Sequence, residues 1–299
     1  KTAQAEIFEE FEKAKQYVLD RGAPIVIKAD GLAAGKGVAV AKTTEAALKF
    51  LEEVMLRGSF GASGSRVVVE EFIDGREASV MAIVDGLTVL PLVVSQDYKR
   101  LLDGDQGPNT GGMGAISPTP VLGDQGVENL VGEIMVPVLR ELASRGINYT
   151  GFLYAGIIVD AGRNASVLEF NCRLGDPETQ VILPRLESDL LAALDCAASA
   201  RLSSVELRWS TRAAACVVAA SRGYPGVVED GKLITSSLTA ADNCVLFHAG
   251  TIADAESPEL VRSKGGRVLC VSALGDTVDD ALRQIYTGIE KVQFEGMHY

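Results

Sequence analysis

Residues 25–42 read IVIKADGLAAGKGVAVAK, and the segment from Gly31 to Lys36 decides how this part of the chain folds. A P-loop needs four residues between its glycines and a Ser or Thr after its lysine, and it runs from a strand into a helix whose N-terminus faces the phosphates. Here three residues separate Gly31 from Gly35, and Gly37 follows Lys36. The run from Gly37 to Ala41 is small and β-branched, which suits a strand. The stretch therefore reads as two strands joined by a glycine-rich loop. Such a loop can close over phosphates with its bare NH groups, its glycines tolerating positive φ. An ordinary glycine-rich hairpin is the other reading, and the loop alone does not choose between them.

Upstream, Ile7, Phe8, Phe11, Ala14, Val18 and Leu19 recur at helical spacing and stop at Gly22, which predicts an opening helix with a glycine cap. Downstream, Thr43 or Thr44 caps a second helix whose apolar side carries Ala47, Leu48, Leu51, Val54 and Met55. The strand RVVVEEFI follows after GSFGASGS. Two helices and three or more strands make residues 1–75 a small α+β domain. A hairpin with Asp85-Gly86 as its turn comes next. Residues 96–120 are poor in regular signals, and a loop of that length carrying Lys99, Arg100, Asn109 and Gly111-Gly112 points to function. A helix over about 124–144, strands FLYAGIIVD and SVLEFNC, and helices DPETQVILPRL and LLAALDCAASA complete a second domain, 76–205. Short strands with glycine turns (AAACVVAAS, VVEDGKLI, NCVLFHAGTI, GGRVLCVSALG) and a closing helix from Val278 to about Lys291 make 206–299 a β-rich third domain.

Across the 299 residues, 47% apolar content supports globular cores, and the charge of −12 argues against broad nucleic-acid or anionic-membrane binding. No apolar run approaches the ~18 residues of a membrane span, and the N-terminus has no secretory pattern. Five scattered cysteines without C-x-x-C spacing fit a reducing cytoplasm better than zinc or a disulfide framework. Lys1 opens the chain without an initiator Met, so we expect a piece of a longer protein.

The chemistry concentrates in LEFNCRLGDPETQ, residues 168–180. Strand alternation sends Glu169, Asn171 and Arg173 to one face and Leu168, Phe170 and Cys172 to the other. A carboxylate and an amide oxygen side by side are hard ligands that suit magnesium. Arg173 can contact a transferring phosphoryl group as a planar fork. Asp176-Pro177 would then start a helix with Pro in its first turn. The competing reading is an amphipathic strand with Leu168 and Phe170 buried and its charged face in water. In VVVEEFIDGRE, the segment Glu70, Glu71, Phe72 and Ile73 can hold an adenine edge, and Glu77 can accept from ribose hydroxyls; a solvated acidic strand end is the alternative. Lys28, at the mouth of the glycine loop, is either a phosphate partner or a solvated strand-end lysine. The two histidines, His248 and His298, fit no triad or metal spacing. With no nucleophile–base pair evident, the chain leans toward positioning and electrostatics, as phosphoryl transfer does.

Taken in order, IVIKADGLAAGKGVAVA, VVVEEFIDGREASV, QDYKRLLDGDQGPNTGGMGA, GFLYAGI and LEFNCRLGDPETQ resemble the glycinamide ribonucleotide synthetase family of the ATP-grasp superfamily. SRGYPG, FHAGT and FEGMHY extend the resemblance across the whole chain. It implies an α+β ATP-grasp fold, with a small α+β lid, a larger antiparallel-sheet core and a C-terminal β-rich domain. The family's N-terminal α/β domain would be absent, making this chain a truncated, weakly active portion that stops a few residues early. The implied reaction is ATP-dependent: glycine becomes glycyl phosphate, and the amine of 5-phosphoribosylamine attacks it, giving glycinamide ribonucleotide, ADP and phosphate for purine biosynthesis.

The resemblance implies ATP and Mg2+ (or Mn2+) as cofactors. Glu169 and Asn171 would hold the metal, Lys28, Gly31, Gly35, Lys36 and Gly37 would cover the phosphates, and Glu70 to Ile73 would hold adenine. Lys28 and Arg173 are the expected catalytic groups. Asp97, Lys99, Arg100, Asn109, Thr110, Gly111, Gly112, Met113 and Asp176 would line the place where glycine and phosphoribosylamine meet. Tyr98 and Leu174 depart from the His and Phe common in the family. The implied setting is cytoplasmic, with no nucleic-acid or membrane partner, and the parent protein is either stand-alone or fused to other purine-pathway domains. Two alternatives stay open: another ATP-grasp carboxylate–amine ligase or carboxylase, and a non-catalytic nucleotide-binding fragment.

Overall fold

The computed structural model describes residues 1–31, 37–122 and 126–299. They divide into two compact units, Lys1–Gly75 with Asp160–Leu168, and Arg76–Val159 with Glu169–Tyr299.

The first unit is an antiparallel sheet covered by two helices. Its elements are β1 (Ala5–Phe8), α1 (Phe11–Arg21), β2 (Ile25–Ala29), β3 (Val38–Ala41), α2 (Thr44–Leu51) and β4 (Val67–Glu71), with sheet order β1-β4-β2-β3. Pairing from Ile25↔Ala41 to Lys28↔Val38 shows that the glycine stretch joins antiparallel strands. Val18, Ile27, Leu51, Val67 and Val69 form the core. Thr43 caps α2 by accepting a hydrogen bond from the Ala46 NH at 3.2 Å. The opening helix starts at Phe11 rather than near Ile7. Ala5–Phe8 instead extends along the edge of β4, where Ile7 stays 59% exposed and strand hydrogen bonding overrides the helical spacing. The chain start also ties down the Asp160–Leu168 segment: Val167 donates its NH to the Lys1 carbonyl, and Thr2 Oγ1 donates to the Val167 carbonyl.

In the second unit, β5 (Arg76–Asp85) and β6 (Thr88–Pro91) form the expected hairpin, with Gly86 at φ +59° in its turn. Residues 96–120 are more regular than the sequence suggests, containing β7 (Gln96–Asp97), β8 (Arg100–Leu102), β9 (Gln106–Asn109) and β10 (Gly114–Ser117). These strands are too short to leave a periodic signal. Beyond residues 123–125, which lie outside the description, come α3 (Val127–Leu130), a π-helical turn and α4 (Val136–Ser144). β11 (Thr150–Val159) follows, then β12 (Ala165–Asn171), which begins in the first unit and ends in the second.

The helix expected over 176–186 shrinks to α5 (Thr179–Ile182) and a 3-10 turn, Leu183–Arg185. Asp176 and Glu178 are committed to other partners there, described below. After α6 (Leu190–Ala198), capped by Asp189, the segment around residue 206 holds no strand. β13 (Ala213–Ala220) then joins β10. The remaining elements are β14 (Leu233–Ser236), β15 (Cys244–His248), β16 (Thr251–Ala253), β17 (Val261–Ser263), β18 (Arg267–Gly275), α7 (Val278–Ile289) and β19 (Val292–Gln293). The strand expected from Val227 begins only at Leu233, because Val227 is 94% exposed with nothing to pack on.

Three sheets, ordered β12-β11-β5-β6, β15-β18-β13-β10-β7 and β16-β17-β14-β19, organise this unit, with β8-β9 as a separate pair. The five-stranded sheet brings β13 and β18 beside the loop-bearing β7 and β10. One core gathers Met81, Ile83, Leu92 and Ile182; another gathers Leu269, Val271 and Ile285 under α7.

Candidate active site

Alternation places Glu77, Ser79 and Met81 on one face of β5, and the register sets Ile158, Gly156 and Tyr154 of β11 beside them. Glu169 lies over Gly156: a Cβ built on that glycine would sit 3.2 Å from Glu169 Cγ and 3.4 Å from the Tyr154 ring. The bare glycine therefore leaves the space that Glu169 uses. Asn171 shares the Glu169 face two residues on. A merely solvated amphipathic strand would bury Phe170, yet Phe170 is 39% exposed and Asn171 is half-buried. One carboxylate and one amide fit a hard divalent ion that keeps water and phosphate oxygens as its other ligands. Among the described residues, no cluster of three or more His, Cys, Asp or Glu offers a metal cage of its own.

A polar network extends across the same face. Ser79 Oγ donates to Glu178 Oε1 at 2.9 Å and contacts the Tyr154 hydroxyl at 2.9 Å. Glu178 is only 3% exposed, and Gly175 makes room for it, since a Cβ there would stand 2.5 Å from Oε2. Lys99 Nζ donates to Glu77 Oε2 at 2.7 Å, so Glu77 is engaged by a lysine within its own unit. Burial works against the Lys99 ammonium, but Asp97 and Glu77 outweigh it and raise its pKa. Burial pushes the Asp97 carboxyl up to about 7; Lys99 opposes the rise, while Glu178 and Glu77 add to it. Burial, helped by Glu178, also raises the Tyr154 hydroxyl, keeping it a neutral donor.

The glycine-rich loop stands at the end of β9. Thr110 donates from both its NH and its hydroxyl to the Lys99 carbonyl, at 2.7 and 2.8 Å, and the Gly112 NH returns to Thr110 Oγ1 at 3.0 Å. Met113 donates its NH to the Tyr98 carbonyl. Asn109 pairs with Arg100 across β8 and β9, and Arg100 Nη1 donates to the Gly107 carbonyl. Asp176 receives Gln180 Nε2 and Arg267 Nη2, each at 3.0 Å. Lys99, Thr110 to Met113 and Asp176 are thus tied into this unit by hydrogen bonds. Arg173 stands apart, exposed, with Nη1 donating to the adjacent Leu174 carbonyl at 2.9 Å. Tyr98 remains 47% exposed, and Leu174 packs on the core as a hydrophobic residue should.

In the first unit, Lys28 Nζ is 2.8 Å from Glu70 Oε2, with side chains 24% and 17% exposed. Diagonal neighbours on β2 and β4, they form a half-buried ion pair, so Lys28 is not a solvated strand end. Glu71 Oε1 accepts the Gln4 NH, and Phe72 stays 37% exposed. Gly31 lies so close to Ser63 that a Cβ would come within 2.6 Å of Ser63 Oγ, and the Gly37 carbonyl accepts the Ala29 NH. Gly35 and Lys36 lie outside the described residues.

Sequence reasoning did not single out Ser79, Tyr154 and Glu178 of this polar network, nor Arg267 beside Asp176, nor Tyr224, whose hydroxyl accepts the Gly111 NH at 2.8 Å. The first three sit within strand or helix patterns that look like core or solvated positions. Only Gly266, immediately before Arg267 in a glycine pair, hinted at a close approach there.

Known proteins resemble this chain along its whole length. The model of the phosphoribosylglycinamide synthetase ATP-grasp (A) domain matches residues 1–179, and that of the C domain of the same synthetase matches 214–299. The phosphoribosylamine–glycine ligase of Neisseria meningitidis is 48% identical over 299 residues, covering 100% of this chain and 70% of that protein. The crystal structure of phosphoribosylamine–glycine ligase from Thermotoga maritima superposes with TM-score 0.87 at 36% identity, covering 100% of this chain and 73% of that one. The biotin carboxylase domain of 2-oxoglutarate carboxylase from Hydrogenobacter thermophilus, solved with MgADP, ADP and bicarbonate, matches with TM-score 0.69 over 99% of this chain and 63% of its own. At 16% identity, that likeness concerns the fold alone.

Proposed function

The chain belongs to the phosphoribosylglycinamide synthetase family, and from that membership we propose a residue-level account of its chemistry. It has the ATP-grasp fold followed by the family's C domain, and it is an ATP-dependent carbon–nitrogen ligase of purine biosynthesis. A glycine carboxylate is a poor electrophile. Transfer of the ATP γ-phosphoryl group to it gives glycyl phosphate and ADP; the amine of 5-phosphoribosylamine then attacks the acyl carbon, and phosphate leaves with the bonding electrons.

Glu169 and Asn171 are the residues we assign to the divalent ion, magnesium or manganese; when bound, that ion would neutralise phosphate charge. What supports the assignment is the Glu169–Gly156 packing with Asn171 on the same face. Lys28 exchanges part of its pairing with Glu70 for a nucleotide phosphate, Gly31 and Gly37 flank it, and Glu70 to Ile73 present the adenine-binding strand end. Arg173, in its exposed position, steadies the transferred phosphoryl group. Lys99, Arg100, the 109–113 loop and Asp176 receive glycine and phosphoribosylamine. Asp97, a carboxyl with a pKa near neutrality, accepts the amine proton as the acyl–nitrogen bond forms. The setting is cytoplasmic and the partners are small molecules; no helix among the described residues is long and apolar enough to cross a membrane.

The observation that carries the reading is the 48% identity to a phosphoribosylamine–glycine ligase across the whole chain. The test is ADP release from Mg-ATP with glycine and phosphoribosylamine, supplied singly and together, using this chain and a version extended to the length of its relatives. ADP formed only with both substrates is the expected result. Turnover with a different acid and amine, but not with this pair, overturns the substrate assignment.

A further inference from the structure

Arg267 opens β18, far along the chain from every residue assigned above, yet its guanidinium gathers the substrate loop and the turn before α5 into one cluster. Nη1 donates to the carbonyls of Gly111 at 2.7 Å, Gly112 at 3.3 Å and Asp176 at 2.8 Å, while Nη2 donates to the Asp176 carboxylate at 3.0 Å. Its side chain is only 21% exposed, so these bonds are partly shielded from water. Tyr224 holds the loop through a different atom: its hydroxyl accepts the Gly111 NH at 2.8 Å. The Tyr224 ring occupies the place a side chain at 266 would take, since a Cβ on Gly266 would lie 2.2 Å from ring Cδ2.

The loop itself is shaped for this grip. Gly112 has φ +113°, and a Cβ there would stand 2.4 Å from Pro177 Cδ, so the loop packs directly against Asp176-Pro177. A glycine pair left unheld would sample many conformations, and ordering it on substrate binding would weaken affinity. We propose that Arg267, aided by Tyr224, is a positioning residue that locks Gly111, Gly112 and Asp176 into their substrate-receiving arrangement before substrate arrives. The proposal rests on the assignment of those three residues to the glycine and phosphoribosylamine side of the reaction. A planar fork reaches carbonyls on two chain segments and a carboxylate at once, whereas a lysine ammonium is a single point charge.

The experiment is steady-state kinetics of Arg267→Ala, Arg267→Lys and Tyr224→Phe against wild type, varying ATP, glycine and phosphoribosylamine separately. In Arg267→Ala, KM for glycine or phosphoribosylamine should rise about tenfold or more, while KM for ATP changes by less than about twofold, the split expected when only one side of the site is disordered. Arg267→Lys should recover little of this, and guanidinium chloride at tens of millimolar should partly restore Arg267→Ala. Tyr224→Phe, which removes one hydrogen bond and folds more safely, should show a smaller change in the same direction. Unchanged KM values in the Arg267 and Tyr224 variants, or an equal loss for all three substrates without guanidinium rescue, overturns the proposal. If wild type fails to turn over this substrate pair, it is the ligase assignment that falls. The clamp is then judged by amide hydrogen exchange over residues 108–116: faster exchange in Arg267→Ala sustains it, and unchanged exchange refutes it.

Discussion

Asp97, the proposed proton acceptor, shows how a buried carboxyl can trade stability for a pKa near neutrality. Burial raises its pKa to about 7 from an ordinary value of 3.8, with Lys99 opposing and Glu178 and Glu77 reinforcing the shift. Between those two pH values the folded chain holds a proton that the unfolded chain releases, so stability falls as pH rises through this window. Asp97→Asn should therefore unfold at a higher temperature than wild type at pH 8, and the difference should vanish below about pH 4, where both states are protonated. The same variant should lose the limb of the kcat/KM profile near pH 7; a limb that persists would assign the proton to another group. Lys28→Ala removes a charged partner from the proposed phosphate site and leaves Glu70 half-buried and unpaired. Isothermal titration should find nucleotide affinity reduced by roughly 10–100-fold, the range for one charge-assisted hydrogen bond. Glu169→Gln should shift the metal requirement upward about tenfold or more, since one negative ligand charge is lost. The oxygens of Glu169 and Asn171 are legible in the sequence because strand alternation alone puts them on one face. The ion pairs Lys28–Glu70 and Lys99–Glu77 are not, because each depends on a neighbouring chain segment.

Among the elements, the glycine loop over 109–113 and the closing helix depend on different local features. Gly112→Ala should destabilise by about 1–3 kcal/mol, because a Cβ meets both an unfavourable φ and the Pro177 ring. A shifted denaturation midpoint checks this. Helix α7 carries a capping box in which Thr277 Oγ1 accepts the Asp280 NH at 3.1 Å and Asp280 Oδ2 accepts the Thr277 NH at 3.1 Å. Thr277→Ala should cost about 0.5–2 kcal/mol. The α2 cap, the start of α7 at Val278 and the β5–β6 turn are visible in the sequence because each is complete within a few residues. The edge strand Ala5–Phe8 was hidden beneath a helical spacing, and β7 to β10 were hidden by their brevity. Such strands exist only because a partner strand supplies their hydrogen bonds.

At the scale of the whole molecule, burial and net charge set the expected behaviour. Ile285 is fully buried between α7 and the five-stranded sheet, so Ile285→Ala should destabilise by about 2–5 kcal/mol, measurable by chemical denaturation. A charge of −12 at pH 7 and a pI near 4.8 predict a solubility minimum close to that pH, which turbidity against pH would reveal. By itself the sequence determined the strand–loop–strand form of residues 25–42, the hairpin at Gly86, the shared face of Glu169 and Asn171 and, through the order of its motifs, the family. Each of these follows from torsional preference, alternation or capping over a short span of chain. Only the tertiary structure decided that Arg267 and Tyr224 grip Gly111, that Glu178 turns inward to Ser79, and that Lys28 pairs with Glu70. Those contacts join residues as much as 156 positions apart, and they arise from sheet order and register that no local pattern encodes.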